Sequence, residues 1–236
     1  MTARRWGLLA AALLGAALTA RLGVWQLDRA AQKVELQAAI DAQGALPALE
    51  GAALTATSLH RRAVLRGRWV AERTVWLDNR PMDGRAGFYV VTPLRLAGRS
   101  EAILVQRGWA PRDAADRTRL PPLDTPGGDV EISGRLAAAP SRLYELGTGS
   151  GGTIRQNLDA AAFAAESGLA LLPLTLVQTE GAGADDGLLR HWPAPDLGLQ
   201  KHYGYAFQWF ALSALIVGLY VWFQHLRPRL RRPQQP

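Results

Sequence analysis

The sequence predicts a membrane protein in which two transmembrane helices, one at each end, flank an extracytoplasmic, mainly antiparallel β domain (α+β, barrel- or sandwich-like). Three observations predict it. Two apolar stretches, Trp6 to Trp25 and Tyr203 to Phe223, lie near the chain ends; about 20 residues of helix rise roughly 30 Å, the thickness of the hydrocarbon layer. The excess of basic residues is confined to the ends. Between them lie short runs rich in Val, Ile, Leu and aromatics, bounded by Gly, Pro, Asp and Asn. The expected boundaries are a cytoplasmic N-terminus over 1–5, a first transmembrane helix over 6–25, a periplasmic β-rich domain over 26–201, a second transmembrane helix over 202–224 and a basic cytoplasmic tail over 225–236.

The first helix is Ala-, Leu- and Gly-rich with one internal charge, Arg21, one turn from its outer end, where the stem can carry the guanidinium to the headgroups. A cleavable signal peptide, with two arginines, an apolar core and small residues around Thr19-Ala20, is the competing reading. Against cleavage, the apolar pattern continues through Leu22-Gly23-Val24-Trp25 into a helical Gln26 to Lys33, on which Arg29 and Lys33 are expected to share a face. The second helix, Tyr203 to Phe223, carries no charge, and Tyr203, Tyr205 and Trp209 flank one end while Tyr220 and Trp222 flank the other. Arg227, Arg229, Arg231 and Arg232 follow it and Arg4 and Arg5 precede the first helix, so the positive-inside bias puts both termini in the cytoplasm.

Residues 42–56 read as a helix end and linker. Seven strand-like runs follow: 63–70, 74–77, 88–96, 102–110, 130–136, 153–156 and 172–179. One helix interrupts them, Ala160 to Ser167, with Asn157 or Asp159 as its cap. Short strands with so little helix predict a barrel or a sandwich, and the pattern leaves both open. Asp78 to Gly87 reads as a turn, with Gly84 and Gly87 supplying backbone angles that other residues resist. The glycine-rich 147–152 reads as a loop and Gly181 to Gly198 as irregular.

Composition excludes several functions. The chain has a net charge of +7, yet residues 26–200 hold 19 basic residues against all 20 acidic ones, a net of −1, which leaves no drive toward a phosphate backbone and hence no nucleic acid as partner. There is no cysteine, which removes disulfides, thiolate metal sites and a cysteine nucleophile. Ser150 lies in a Gly-rich run that lacks the nucleophile-elbow pattern and the lysine of a phosphate loop. His60, His191, His202 and His225 are far apart, and Asp185-Asp186 reads as a solvated turn rather than an acid/base pair. No catalytic residue is therefore assigned.

Four islands stand out: Gly23-Val24-Trp25-Gln26-Leu27-Asp28-Arg29; Leu77-Asp78-Asn79-Arg80-Pro81 with Gly84 and Gly87; Val105-Gln106-Arg107-Gly108-Trp109-Ala110-Pro111; and His202-Tyr203-Gly204-Tyr205-Ala206-Phe207-Gln208-Trp209-Phe210. In that order, with a helix at each end, they resemble the surfeit-locus-one (Shy-one) family of cytochrome c oxidase assembly proteins. The resemblance implies a non-enzymatic chaperone in the bacterial inner membrane. It would assist maturation of the haem-copper subunit I of an aa3-type oxidase at insertion of haem a, with subunit I, membrane lipid and haem A synthase as partners. It also implies His202 as a ligand to the iron of a transiently held haem a. Gln200-Lys201 departs from the asparagine or arginine frequent in the family, which leaves the hydrogen-bond partner of the histidine open. A membrane-tethered periplasmic enzyme and a structural subunit of a respiratory complex are the alternative functions.

On a helix beginning near Lys201, the spacing places His202, Tyr205 and Trp209 at i, i+3 and i+7 on one face, where an imidazole can ligate iron and the aromatics shield a porphyrin edge; the same residues also suit plain interface anchors. Arg107 and Arg80 have two readings. Each can pair with an acid such as Asp78 and pack its stem on a tryptophan, or serve a partner or a haem propionate.

Overall fold

The computed structural model describes residues 3–140, 143, 151–181, 186–192 and 198–227. Ser150, Asp185, Arg229, Arg231 and Arg232 lie outside the described residues. The chain forms two units, Met1–Ala38 with Pro195–Pro236, and Ala39–Ala194.

The first unit is a helix pair. A single helix, α1 (Ala3–Ala45), runs past Lys33 and ends within the stretch 42–56 expected to hold a helix end and linker, and α3 (Leu199–Val221) passes into a π-helical turn, Trp222–Leu226. Both are long and apolar enough to cross a membrane. Many of their large side chains face away from the pair: Leu14 is 72% exposed and Phe207 74%. An apolar surface of this extent is more than a water-exposed helix pair ordinarily carries.

What joins the helices is small. Ala16, Thr19, Gly23 and Ala30 are buried on α1 and Ala206 on α3, so the backbones approach closely. Ser213 Oγ donates to the Ala16 carbonyl at 2.9 Å, and Thr19 Oγ1 donates to the Gly15 carbonyl at 2.9 Å. Contacts rise along α1 through Ala16, Gly23 and Gln26 as they fall along α3 through Ser213, Phe210 and His202, so the two run antiparallel. A Cβ on Gly23 would lie 2.8 Å from the Phe210 ring. We expect Gly23→Leu to weaken the pair by about 1–3 kcal/mol, the usual cost of overpacking. The chain has no cysteine of its own, so an Ala16→Cys/Ser213→Cys pair reports helix proximity cleanly. Its crosslinking yield should fall several-fold in the Gly23→Leu background; an undiminished yield would show that Phe210 gives way without cost.

The second unit is built on eight strands: β1 (Leu49–Glu50), β2 (Arg62–Trp69), β3 (Val75–Met82), β4 (Arg85–Leu96), β5 (Ala102–Pro111), β6 (Asp129–Ala137), β7 (Ile154–Arg155) and β8 (Leu171–Gly181). β2, β6, β8, β5 and β4 are bonded in succession, and β4 returns to β2 with Gly67 opposite Leu96 and Trp69 opposite Leu94. Five strands thus close into a barrel, which decides between the two architectures left open by the sequence and removes most edges.

Antiparallel pairings are the majority, but the sheet is mixed: β1/β2, β3/β7 and β5/β8 run parallel. The barrel interior is Leu65, Leu94, Leu96, Ile103, Val105, Ile132, Leu136 and Leu176 with their neighbours. β6 alternates, sending Val130, Ile132 and Leu136 inward, because its outer face is wet. β4 and β5 are buried almost throughout because their outer faces are covered as well. Part of that cover is α2 (Ala160–Ser167), which packs Phe163 with Leu104, Tyr89 and Trp109. Asp159 caps it by accepting from the Ala161 and Ala162 amides, and Gly168 ends it at φ 70°.

Asp78 to Gly87 is not one turn. β3 continues to Met82, interrupted by a bulge between Leu77 and Arg80 in which Asn79 takes φ 61°. The turn is Asp83-Gly84 alone, at φ 50° and 74°, the two positive angles that a tight hairpin demands. Gly84 therefore has the role expected of it. Gly87 has another: a Cβ there would sit 2.2 Å from the Ala110 carbonyl and 2.5 Å from the Trp109 ring, so what matters is space rather than a backbone angle.

Candidate functional site

Each unit holds one concentration of the residues singled out in the sequence. In the helix pair, His202 opens α3 on the side that meets α1, and its Nδ1 lies 2.7 Å from Gln26 Oε1. With the Gln26 amide oxygen facing it, Nδ1 is the donor of this contact, since an amide oxygen only accepts. His202 is half-buried, and Nε2 has no hydrogen-bond partner among the described residues. Two of the four islands, far apart in sequence, are brought together by this contact. It answers which group faces the histidine, and the residues just upstream of it do not supply that group.

His202, Tyr205 and Trp209 share one arc of α3, but only two of them lie on its packed side. Half-buried or buried positions on α3 are 199, 202, 206, 209, 213, 216 and 220, an alternation of three- and four-residue steps. His202 and Trp209 lie on that stripe, whereas Tyr205 is 52% exposed beside it. Gln208 is exposed. On α1, Trp25 and Arg29 also point outward, with the guanidinium 5.8 Å from the indole centroid and donating to Gln32. Arg29 and Lys33 lie one turn apart on α1, as expected, with Lys33 nearer the half-buried side.

In the β unit the islands of β3 and β5 interlock. Trp109 is fully buried, and its Nε1 donates to the Arg80 carbonyl at 2.7 Å. Arg80 is buried as well; it donates to the Gln156 carbonyl at 2.8 Å and lies over the Tyr89 ring. Burial pulls its pKa down, opposed by Tyr89 and Asp78, while burial pushes the Tyr89 hydroxyl up. Pro81, exposed in β3, has no amide to lose. Asp78 pairs with Arg112 at 3.3 Å, so neither Arg80 nor Arg107 takes it as the salt-bridge partner expected.

Arg107 pairs instead with Asp186, at 3.0 Å, and neither side chain is more than 1% exposed. It also donates to Thr125 Oγ1 and the Asp124 carbonyl and lies 4.7 Å over the Trp69 ring, not that of Trp109. Burial lowers its pKa, and the Asp186 carboxylate works against that. Asp186 further accepts from Arg190 through both oxygens, at 3.1 and 2.9 Å, and from the Leu188 amide. The solvated turn expected at Asp186 is thus a buried ionic centre.

Its segment is fastened beside β5, with Leu189 and Trp109 exchanging both backbone bonds and Leu188 filling the space that a Cβ on Gly108 would need. Arg190 and Leu188 are residues that the sequence reading missed, and Asp186 is one that it took for a solvated turn. Among the described residues no three His, Cys, Asp or Glu side chains gather as a metal site.

Comparison with known proteins follows the same islands. A SURF1 family model matches residues 13–214. The chain is 28% identical to a SURF1-like protein of Monosiga brevicollis, over 98% of this chain and 94% of that one. It is 27% identical to one of Drosophila melanogaster, over 92% and 77%, and 24% identical to one of Rickettsia bellii, over 84% and 83%. With the match running from α1 through the barrel into α3, the chain belongs to the SURF1 family.

Proposed function

We propose that this chain is an assembly factor for an aa3-type cytochrome c oxidase, acting at haem a insertion into subunit I, with haem A synthase as a second partner. The family is one of cytochrome oxidase assembly factors, and the observation that carries the finer reading is the arrangement of His202. Gln26 occupies Nδ1, and Nε2 is left with its lone pair and no protein partner among the described residues.

Haem a is cargo here: it brings its own equatorial ligands and needs an axial base, which is what a lone histidine supplies. Exposed Tyr205 lies beside that base. Arg107, with its side chain enclosed and donating to Thr125, Asp124 and Asp186, does not offer a free fork to a propionate.

The work of the chain is to bind and orient, without turnover. In the proposed topology the helices stay in the bacterial inner membrane with both termini cytoplasmic and the barrel outside. The packing of Thr19, Gly23 and Gln26 of α1 against the inner side of α3 supports a first helix that is retained rather than cleaved.

Reduced-minus-oxidised difference spectra of membranes lacking this chain test the reading. We expect haem a to fall several-fold while subunit I remains, and His202→Ala to reproduce much of that loss with the chain still inserted. Normal spectra and activity in the deletion strain would reject the function. Stoichiometric recovery of the chain with the mature oxidase would make it a structural subunit.

A further inference from the structure

We propose that Gln26 is a positioning residue: its amide oxygen holds the His202 imidazole in the Nδ1–H tautomer, so that Nε2 is the nitrogen offered to iron. The inference rests on the reading of His202 as an axial ligand, and adds a role for a residue on the other helix. It starts from the 2.7 Å Nδ1···Oε1 contact, 176 residues apart in sequence. A neutral imidazole has one donor and one acceptor nitrogen, and whichever nitrogen is pinned by an outside acceptor decides which remains basic. Metal-bound histidines are commonly held in this way by a second group that accepts the other ring proton.

The surroundings make the contact more than incidental. His202 is half-buried where α3 meets α1, and there the low dielectric strengthens a hydrogen bond relative to water. The helices on either side are locked by close approach. Gly23, three residues before Gln26, has no room for a Cβ against Phe210, and Ala206, four residues after His202, is buried. One turn apart on each helix, these contacts fix the spacing across which the glutamine must reach. A carboxylate at the same place would accept the same proton and make the ring more basic, at the cost of a charge near the apolar layer.

The test uses the full chain in detergent micelles and two readouts. Without haem, long-range nitrogen–proton correlation on histidine-labelled protein should show His202 protonated at Nδ1, and Gln26→Ala should give a mixture of tautomers. With ferric haem a as probe, Gln26→Ala should weaken binding about 10- to 100-fold, the usual range for losing such a partner. Gln26→Glu should restore or exceed the original affinity, a rescue that a merely structural contact would not give. A His202 protonated at Nε2 in the unaltered protein, accepting from a reversed amide, overturns the proposal. Unchanged binding by Gln26→Ala beside a deficient His202→Ala sinks the positioning role alone, whereas unchanged binding by His202→Ala sinks the haem reading and the purpose of the contact with it.

Discussion

Replacing Asp186 with Ala is expected to cost the β unit about 3–5 kcal/mol, because it leaves Arg107 and most of Arg190 buried without their shared counter-ion. Both guanidiniums meet on this carboxylate; removing it leaves Arg107 chiefly to Thr125, the Asp124 carbonyl and the Trp69 ring. A typical domain has about 5–15 kcal/mol in total, so a substantial fraction of the variant should be unfolded near physiological temperature. Asp186→Asn keeps an acceptor for one guanidinium and should fall between.

The control is instructive. Arg66 and Glu131 are only 2.6 Å apart, shorter than the Arg107 contact, but their side chains are 77% and 53% exposed. Glu131→Ala should leave the unfolding midpoint close to that of the unaltered chain, since water replaces the lost partner. Urea unfolding of the full chain in detergent, followed by circular dichroism, checks the order. If Asp186→Ala and Glu131→Ala unfold alike, burial does not govern these pairs.

What the sequence discloses here depends on the range of the interaction behind each feature. α2 and its Asp159 cap were legible because capping is decided within four residues, and β6 because alternation on one wet face is a local pattern. The bulge at Asp78-Asn79 imitated a turn, since the same residue types favour both, and only the pairing with β4 tells them apart. Parallel pairing of β5 with β8 leaves no local mark at all.

Asp186 sits in a glycine-rich stretch that looks solvated, and its partner Arg107 is 79 residues away. Tyr205 was placed with His202 by a three-residue step, and it lies at the edge of that arc, outside the stripe that packs on α1. Gln26 and His202 were each conspicuous in their own islands. Their meeting required an antiparallel register that neither helix encodes alone.

Trp109→Ala should also cost about 3–5 kcal/mol, and the reason lies in how two islands of sequence are tied. The indole is enclosed, packs where Gly87 leaves room for it, and donates to the Arg80 carbonyl. Truncation therefore opens a cavity and leaves a buried acceptor short of a donor. Trp109→Phe removes the N–H and little of the volume, and should cost about 1–3 kcal/mol. Hydrogen exchange of the β3 and β5 amides measures both without relying on the lost fluorophore.

The same variants separate stability from function. A loss of 1–2 kcal/mol is enough to lower the amount of a protein in the cell several-fold, so Trp109 variants should reduce the oxidase in proportion to the chain that survives. His202→Ala should reduce it per molecule of chain, with the chain at its normal level. A Trp109→Phe strain with a full complement of stable chain and no oxidase would move Trp109 from the interior's architecture to the contact with the partner.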